Sequence, residues 1–248
     1  MAVCALVGAA PFNAECFRAR YEAGAFACVV AVDGGFASLE RVGCVPDVAM
    51  GDFDSLGYVP DGLPSGVEVF EYPTRKDESD MELALRLAQE RGFDEVEVYG
   101  AIGGRLDHTL ANLQLLALFN ERGLRVTAVD LVEVDRTLPA VVGPTTDAEA
   151  DRREATADSD RMTTAVGTAL TFLTGPAELT LDPHPGETVS VFSLSDESHD
   201  VTEVGLAYPL DRVTLTNRTS WGLSNEFTEA PATISVASGT LVVFHPLF

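Results

Sequence analysis

Carboxylates follow three successive predicted strands in the first half of the chain. Asp33 follows one strand, Asp52 and Asp54 follow the next, and Asp77 and Asp80 come after the third. In a parallel sheet the C-terminal ends of the strands lie at one edge, so we expect these side chains to converge there. Two like charges about 4 Å apart cost about 4 kcal/mol at an effective dielectric constant of about 20, so the cluster requires a compensating cation.

The types and spacing of these acids favour a magnesium site. Asp52 and Asp54 are two residues apart at a strand end and can therefore point the same way. Oxygen ligands without cysteine suit a hard ion, most naturally Mg²⁺, which prefers a few carboxylates plus substrate phosphates. The sequence therefore predicts a nucleotide together with a metal ion at this edge.

Cations and glycines near the same strand ends are candidates for binding the phosphates of that nucleotide. Lys76 is the only lysine of the chain, and it stands beside Asp77, which is unusual for a solvated surface charge. We expect Arg75, Lys76 and Arg105 to hold phosphate oxygens. Glycine allows the backbone to approach an anion closely, and four glycines are candidates for this role: Gly34, Gly35, Gly103 and Gly104.

Three residues near the strand ends also have a purely structural explanation. Asp33 precedes Gly-Gly and could serve only the turn, and Asp80 could be the acid that the first turn of a helix favours. His108, close to a predicted helix start, is more consistent with a structural role than with a catalytic one. For Asp33 and Asp80 both explanations stay open at this point.

The elements that position these residues alternate between strands and helices. One predicted helix has Asn13 as its N-cap and ends before Gly24, and a second begins at Ser79 in a capping box with Glu82. A third runs from about Leu106 to Glu121. Strands separated by helices imply a mainly parallel sheet covered on both faces. The predicted strands are Val3–Val7, Cys28–Val32, Val48–Met50, Val67–Tyr72, Val96–Tyr99 and Val126–Leu131.

The second half is rich in strands and turn signals and lacks a long helical pattern, which predicts a small antiparallel β-sandwich. Residues 145–161 are polar and acidic, which is typical of a mobile linker or a surface insertion. We therefore predict an α/β domain at residues 1–140, an acidic linker at 141–168 and an all-β sandwich at 169–248. The predicted strands are Thr171–Leu173, Glu178–Leu181, Thr188–Phe192, Gly205–Tyr208, Arg212–Thr216, Thr233–Val236 and Leu241–Phe244.

The charge balance restricts the partners and the environment. The chain has 39 acidic and 16 basic residues and a net charge of −23, whereas a nucleic-acid groove needs basic residues. Acidity combined with a single lysine favours a salt-rich cytoplasm, where repulsion between like charges is screened. No apolar run reaches the ~18 residues of a membrane span, and Met1–Ala10 lacks the basic leader of a signal peptide.

Cysteine usage also favours a cytoplasmic protein. The four cysteines are Cys4, Cys16, Cys28 and Cys44, and none forms a CxxC pair. This pattern argues against a disulfide framework and against a zinc site. Cys4 and Cys28 lie in apolar, strand-like runs, so we predict that they are buried thiols.

Taken together and in order, these residues resemble the thiamine pyrophosphokinase family. The resemblance runs from about Val29 to the C-terminus, and six motifs with suitable spacing are specific where any one alone is weak. It departs from the family where Ser79 replaces the usual threonine and where residues 144–168 match nothing. The motifs are DGG (Asp33–Gly35), PDVAMGDFDS (Pro46–Ser55), KDESD (Lys76–Asp80), GGRLDHTLAN (Gly103–Asn112), GLAYPL (Gly205–Leu210) and GLSNEF (Gly222–Phe227).

The resemblance implies a fold, a reaction and partners. The fold would be an α/β N-terminal domain with a mainly parallel sheet flanked by helices, followed by an all-β sandwich. The substrates would be ATP and thiamine, the products thiamine diphosphate and AMP, the cofactor Mg²⁺ and the assembly a homodimer. In-line attack by the thiamine hydroxyl on the β-phosphorus of ATP would release AMP.

The resemblance also implies roles for individual residues. Ser224 and Asn225 would belong to the loop that meets thiamine, and Trp221 could stack on its rings or be a sandwich core residue. Asn112 matches a family position without an assigned role. The remaining candidates are Asp52, Asp54 and Asp80 for the metal, Asp54, Asp80, Arg105 and Asp107 for catalysis, and Asp33, Gly34, Gly35, Lys76, Asp77, Gly103, Gly104 and Arg105 for the nucleotide.

Three other functions compete with this one. The first is a diphosphokinase acting on another alcohol, such as a 6-hydroxymethylpterin, which would share the phosphate chemistry of the first half. The second is a non-catalytic thiamine- or nucleotide-binding regulatory module, against which the retained Lys76 and acid cluster argue. The third and weakest is a nicotinamide-dependent dehydrogenase, because no GxGxxG follows the first strand.

Overall fold

The first half of the computed structural model alternates strands and helices, as the sequence predicts. The structure describes residues 2–53, 63–133 and 165–247. Its first ten elements are β1 (Val3–Val7), α1 (Ala14–Glu22), β2 (Phe26–Val32), α2 (Gly35–Val42), β3 (Val48–Gly51), β4 (Glu68–Glu71), α3 (Asp80–Glu90), β5 (Glu95–Tyr99), α4 (Leu106–Glu121) and β6 (Arg125–Glu133).

Local capping explains where the helices begin and end. The Asn13 side chain accepts a hydrogen bond from the Cys16 backbone N–H (2.9 Å) at the start of α1. Ser79 does the same for the Glu82 N–H (3.2 Å) at the start of α3, as the capping box predicts. The predicted helices α1, α3 and α4 are confirmed. The short helix α2, which ends at Gly43 with φ 71°, was not singled out by the sequence patterns.

Six parallel strands form the predicted sheet, in the order β4-β3-β2-β1-β5-β6. Alternate residues of each strand face opposite sides, and both sides are covered. On one face Leu6 belongs to a buried cluster with Leu85 of α3 and Leu116 of α4. On the other face Val7 belongs to a cluster with residues of α1 and α2. From β1 the strands are added towards β4, and from β5 they are added on the other side, so the order of addition reverses between β1 and β5 and creates a switch point at the C-terminal edge.

The second half continues the same sheet and adds a second one. Its elements are β7 (Ala165–Thr174), β8 (Ala177–Leu181), β9 (Thr188–Ser193), β10 (Glu197–Val204), β11 (Leu210–Thr216), β12 (Asn225–Glu226), β13 (Ala232–Val236) and β14 (Thr240–Pro246). β7 pairs antiparallel with β6, and the order beyond it is β14-β9-β12; the other sheet has the order β11-β10-β13-β8. A buried cluster that includes Val201, Ile234 and Val243 fills the space between them.

The predicted fold class is confirmed: an α/β part with a mainly parallel sheet is followed by an antiparallel β part. One predicted strand, Gly205–Tyr208, is wrong. It is a turn in which Leu206 makes an isolated bridge to Phe227. Strand β10 lies between predicted strands and escapes the pattern, because polar Ser198 and Glu203 face its buried side.

Other predictions about the chain can be compared with the described residues. Cys4 and Cys28 are buried free thiols, as predicted, and Cys44 is buried as well. Among the described helices, none is long and apolar enough to cross a membrane. The predicted linker, residues 145–161, lies outside the described residues, and the domain boundaries stay a prediction.

Candidate active site

Three carboxylates meet at the C-terminal edge of the parallel sheet. Asp33 directly follows β2 in a left-handed backbone conformation (φ 47°), Asp52 follows β3, and Asp80 is the first residue of α3. One carboxylate oxygen from each lies within 4.8 Å of the others. Asp52 and Asp80 belong to the predicted metal set, Asp33 joins them, and Asp54 lies outside the described residues.

The ammonium group of Lys76 lies beside this cluster. Its Nζ is 3.1 Å from Asp80 Oδ1 and 3.6 Å from Asp52 Oδ2, and it donates to the Pro73 carbonyl (3.2 Å). Partial burial would lower the pKa of Lys76, but Asp80 and Asp52 outweigh it and raise that pKa. The lysine therefore stays charged and neutralises part of the acid cluster.

The electrostatics of Asp80 reflect the same crowding. Burial raises its pKa most, and the negative charges of Asp52 and Asp33 add to that rise, while Lys76 opposes it. A carboxylate with two like-charged neighbours is destabilised as an anion, so any further cation at this position relieves repulsion. The cluster is thus arranged to attract a positive ion.

A cavity of about 580 Å³ lies against the cluster. It is at the switch point of the sheet, where ligands of open α/β folds bind. The loop after β1 and the loop after β5 form part of its wall, and they are joined by a hydrogen bond from the Ala10 N–H to the Gly100 carbonyl (3.0 Å). The residues that line it are Gly8, Ala9, Ala10, Pro11, Val32, Asp33, Asp52, Thr74, Lys76, Glu78, Ser79, Asp80, Met81, Gly100, Ala101, Gly103, Gly104, Arg105, His108 and Asn112.

The loop after β5 contributes backbone and an arginine to this cavity. Gly103 and Gly104 adopt positive φ angles of 92° and 68°, which glycine allows without strain. The Thr109 hydroxyl accepts a hydrogen bond from the Gly103 N–H (3.0 Å), and the Asn112 side chain donates to the Ala101 carbonyl (2.6 Å). Asn112 therefore holds the loop, a role that the sequence left unassigned.

Arg105 and Asp107 form an exposed ion pair at the rim. Both ends of the guanidinium donate to the carboxylate, Nε to Oδ1 (3.1 Å) and Nη2 to Oδ2 (2.6 Å). The Arg105 hydrogen bonds lower the pKa of Asp107 to about 2. Arg105 and His108 line the cavity and Asp107 does not. Asp107 thus orients Arg105 and is a weak proton acceptor while the pair persists.

The other predicted nucleotide contacts are positioned differently. Gly35 is packed against the backbone of β1, where an added Cβ would lie 1.8 Å from the Val7 carbonyl oxygen. Gly34 caps α2, and neither glycine lines the cavity. Asp77 is exposed and does not line the cavity either, whereas its neighbour Glu78 does. Close packing of α2 on the sheet accounts for Gly35 without a ligand.

The predicted thiamine contacts lie together on another part of the molecule. Trp221 is 62 % exposed, so it is not a sandwich core residue. Ser224 is exposed with φ 56°, and its N–H donates to Ser190 Oγ (2.9 Å). Asn225 is buried at the start of β12. None of the three lines the cavity at the acid cluster.

Sequence reasoning missed the loop after β1, which forms one wall of the cavity. An added Cβ on Gly8 would lie 2.5 Å from the Gly100 carbonyl oxygen, so the two loops can pack only because Gly8 has no side chain. A glycine directly after the first strand of a parallel sheet was the available signal.

Two protein-family models match parts of this chain. "Thiamin pyrophosphokinase, catalytic domain" matches residues 22–128, and "Thiamin pyrophosphokinase, vitamin B1 binding domain" matches residues 177–241. A thiamine pyrophosphokinase of Bacillus subtilis (strain 168) is 25% identical over 220 residues, covering 86% of this chain and 85% of the relative.

Solved structures show the same fold. The thiamine pyrophosphokinase from Bacillus subtilis has a TM-score of 0.70 at 22% identity and covers 99% of both chains. The thiamin pyrophosphokinase from Geobacillus thermodenitrificans has a TM-score of 0.66 at 25% identity, covering 99% of this chain and 98% of that one. The yeast thiamin pyrophosphokinase has a TM-score of 0.62 at 11% identity, covering 99% and 86%.

Proposed function

The chain belongs to the thiamin pyrophosphokinase family, and on that premise we propose that it transfers the diphosphate of ATP to the hydroxyl of thiamine. The products are thiamine diphosphate and AMP, and the reaction depends on Mg²⁺. The observation that carries the proposal is the meeting of Asp33, Asp52 and Asp80 beside Lys76 at the edge of a cavity.

The acid cluster fits a magnesium ion. It offers hard carboxylate oxygens from three separate elements, already within 4.8 Å of one another. Asp33, Asp52 and Asp80 would hold the ion, and Asp54 is proposed as a further ligand. Bound Mg²⁺ would supply charge neutralisation on the phosphate oxygens.

The cations and the glycine loop provide the phosphate site. Lys76 and Arg105 both line the cavity, and they would bind the triphosphate and balance the charge that develops during transfer. The backbone at Gly103 and Gly104 is open, because a Cβ added at either position would meet no atom within 4 Å. Catalysis of this kind relies on positioning and electrostatics, which these residues can supply.

Proton removal from the thiamine hydroxyl needs only a weak base in the site. An alcohol proton can leave late in a loose phosphoryl-transfer transition state, so a strong base is not required. Asp54, Asp80 and Asp107 are the candidates. The low pKa of Asp107 makes it the weakest acceptor while it is paired with Arg105.

The second half supplies the proposed thiamine site. The exposed ring of Trp221 is available to stack on the cationic thiazolium or on the pyrimidine. The loop that carries it does not line the cavity of its own chain. This separation supports the proposed homodimer, in which a loop from one copy would complete the site of the other.

Product analysis tests the proposal directly. The protein is mixed with ATP, MgCl₂ and thiamine at high salt, and thiamine diphosphate and AMP are measured by mass spectrometry. We expect both products in equal amounts, and neither when MgCl₂ is replaced by EDTA. Formation of ADP and thiamine monophosphate would contradict the proposed transfer.

Two parallel assays separate the competing functions. A 6-hydroxymethylpterin in place of thiamine should release no AMP, and AMP release there alone would favour the pterin enzyme. Tight thiamine binding without any AMP would favour a regulatory module.

The salt-rich cytoplasm proposed from composition predicts that the protein unfolds on dialysis into low salt, and unchanged stability would contradict it.

A further inference from the structure

The side chain of Asn225 connects the two motifs of the second half, GLAYPL (Gly205–Leu210) and GLSNEF (Gly222–Phe227). Its Nδ2 donates to the Tyr208 carbonyl (2.8 Å), and its Oδ1 accepts from the N–H groups of Tyr208 (3.0 Å) and Glu226 (2.9 Å). The remaining Nδ2 proton goes to Glu203 Oε2 (2.8 Å). Both donors and both acceptor sites of the amide are therefore used inside the protein. Asn225 in this arrangement organises the loop instead of offering its amide to a ligand.

Glu203 reaches Asn225 across the sandwich. Glu203 is on β10 in the four-stranded sheet, whereas Asn225 begins β12 in the ten-stranded sheet. Glu203 is fully buried (0% exposed) and is the register partner of Ile234 in an apolar core. The hydrogen bond thus connects the two sheets through a region that is otherwise packed by apolar side chains.

A carboxyl group in this place carries a free-energy penalty. Burial raises the pKa of Glu203, and the Asn225 hydrogen bond opposes that rise. Its second oxygen, Oε1, has no hydrogen-bond partner among the described residues. An apolar side chain would avoid this penalty, so stability alone does not account for a glutamate here.

The segment that ends at Asn225, residues 221–225, carries the exposed side chains of the proposed thiamine loop. Gly222 lies against β9, where its carbonyl accepts from the Val191 N–H (2.9 Å), and Trp221 and Leu223 on either side are 62% and 58% exposed. Ser224 follows with a positive φ that a side chain tolerates only when its surroundings hold it. Asn225 is the next residue, so its anchoring determines where these side chains project.

We propose that Glu203 is a positioning residue for thiamine: by holding the Asn225 amide from the opposite sheet, it sets the geometry in which Trp221 and Ser224 meet the substrate. This inference rests on the proposed function of the loop. Glu203 touches no substrate; it acts through Asn225.

Two near-isosteric substitutions test this role. Glu203→Met keeps the length of the side chain and removes the acceptor, whereas Glu203→Gln keeps an acceptor for Asn225. We expect E203M to raise the KM for thiamine about tenfold or more with kcat within about twofold, because a buried hydrogen bond to the loop is lost. E203Q should retain the wild-type KM, and neither variant should change the KM for ATP.

A matched control and a direct measurement of the loop make the test decisive. Ser198→Ala removes a buried polar group from the same strand whose hydroxyl bonds to Ser193 (2.8 Å) and to the Thr240 carbonyl (3.4 Å), and it should leave the KM for thiamine unchanged. Hydrogen exchange should be faster in residues 205–209 and 221–227 of E203M than of E203Q. If E203M does not fold, Glu203→Asp applies the same test, because its shorter side chain keeps the carboxyl and loses the reach.

The outcomes separate this inference from the function on which it rests. An unchanged KM for thiamine in E203M, or an equal rise in S198A, would overturn the positioning role while the enzyme assignment stands. Wild-type protein that releases no AMP with thiamine would remove the proposed function, and hydrogen exchange would still decide whether Glu203 anchors the loop.

Discussion

Two sets of buried or half-buried carboxyl groups differ in how their charges are compensated. At the strand-end cavity, Asp33, Asp52 and Asp80 lie within reach of one another, and the cation of Lys76 pairs with Asp52 and Asp80. In the sandwich, Glu203 stands among apolar residues and bonds to a neutral amide. In the first arrangement a bound cation would relieve the remaining repulsion between the carboxylates. In the second, the hydrogen bond to Glu203 helps to occupy the Asn225 amide completely inside the protein.

This difference teaches how to distinguish a binding group from a positioning group. A cluster of like negative charges beside a cavity is stabilised when a cation binds, so such a cluster is suited to binding a ligand. An amide with all four hydrogen-bonding positions occupied, such as Asn225, gains nothing from a new ligand without losing an existing bond. Four experiments test this distinction.

Removing one acid from the cavity should have the largest effect. We expect Asp52→Asn to lower kcat about a thousandfold, because several kcal/mol of charge stabilisation would be lost with the metal site. Its free energy of unfolding without Mg²⁺ should be equal to or higher than that of the wild type, since repulsion is relieved. Glu90→Gln, at the exposed far end of α3, is the matched control and should stay active. Near-normal turnover in D52N would remove the metal assignment.

Magnesium should stabilise the protein through the same cluster. At a concentration about 100 times its Kd, a ligand that binds only the folded state adds about 2.7 kcal/mol to the free energy of unfolding. Thermal unfolding with MgCl₂ should therefore show a higher Tm for the wild type and a much smaller change for D52N. NaCl at equal ionic strength controls for screening of the net charge of −23. Equal Tm shifts in both proteins would mean that Mg²⁺ binds elsewhere.

Truncating the exposed tryptophan should affect binding and spare stability. We expect Trp221→Ala to raise the KM for thiamine about tenfold to a hundredfold, the range for an aromatic contact that is lost entirely. Because Trp221 is 62% exposed, the free energy of unfolding should change by less than about 0.5 kcal/mol. Val45→Ala, at another exposed apolar residue, should change neither quantity. A large loss of stability in W221A would place the ring in a packing role.

The smallest effect concerns the pH dependence of stability at Glu203. Burial raises the pKa of Glu203 in the folded state above its ordinary value, so its contribution to the free energy of unfolding is complete below that ordinary value and is lost as the pH rises through the folded pKa. Glu203→Gln cannot ionise, so its stability relative to the wild type should increase over that interval. Each unit of separation is worth about 1.4 kcal/mol. Urea unfolding across pH would show this, and a pH-independent difference would contradict a buried, titrating Glu203.

Part of the cavity was predictable because its geometry follows from general rules. Asp52 and Asp80 converge since parallel strands end at one edge, and Lys76 was conspicuous as the only lysine. Asp33 joined them although turn chemistry explained it equally well. The contrary case is Gly35, whose absent side chain serves helix packing against Val7, which no local pattern distinguishes from phosphate binding.

Strand β10 shows where the pattern fails. Its buried positions include Ser198 and Glu203, so the alternation of apolar and polar residues that marks a half-buried strand is lost. Its pairing with β11 is also irregular near Asp200, which has φ 52°. The residue that makes the strand unrecognisable, Glu203, is the one whose role depends on a partner 22 residues away.

By itself, the sequence determined the capped helices, the parallel strands and the chemistry at their ends, because caps, periodicity and residue types act over a few positions. The tertiary structure decided that one sheet runs through both halves, that Asp33 completes the acid cluster, that Trp221 is exposed and that Asn225 is fully bonded. These features depend on which distant surfaces pack together. Packing is decided by the free energy of the whole fold, so no short segment records it.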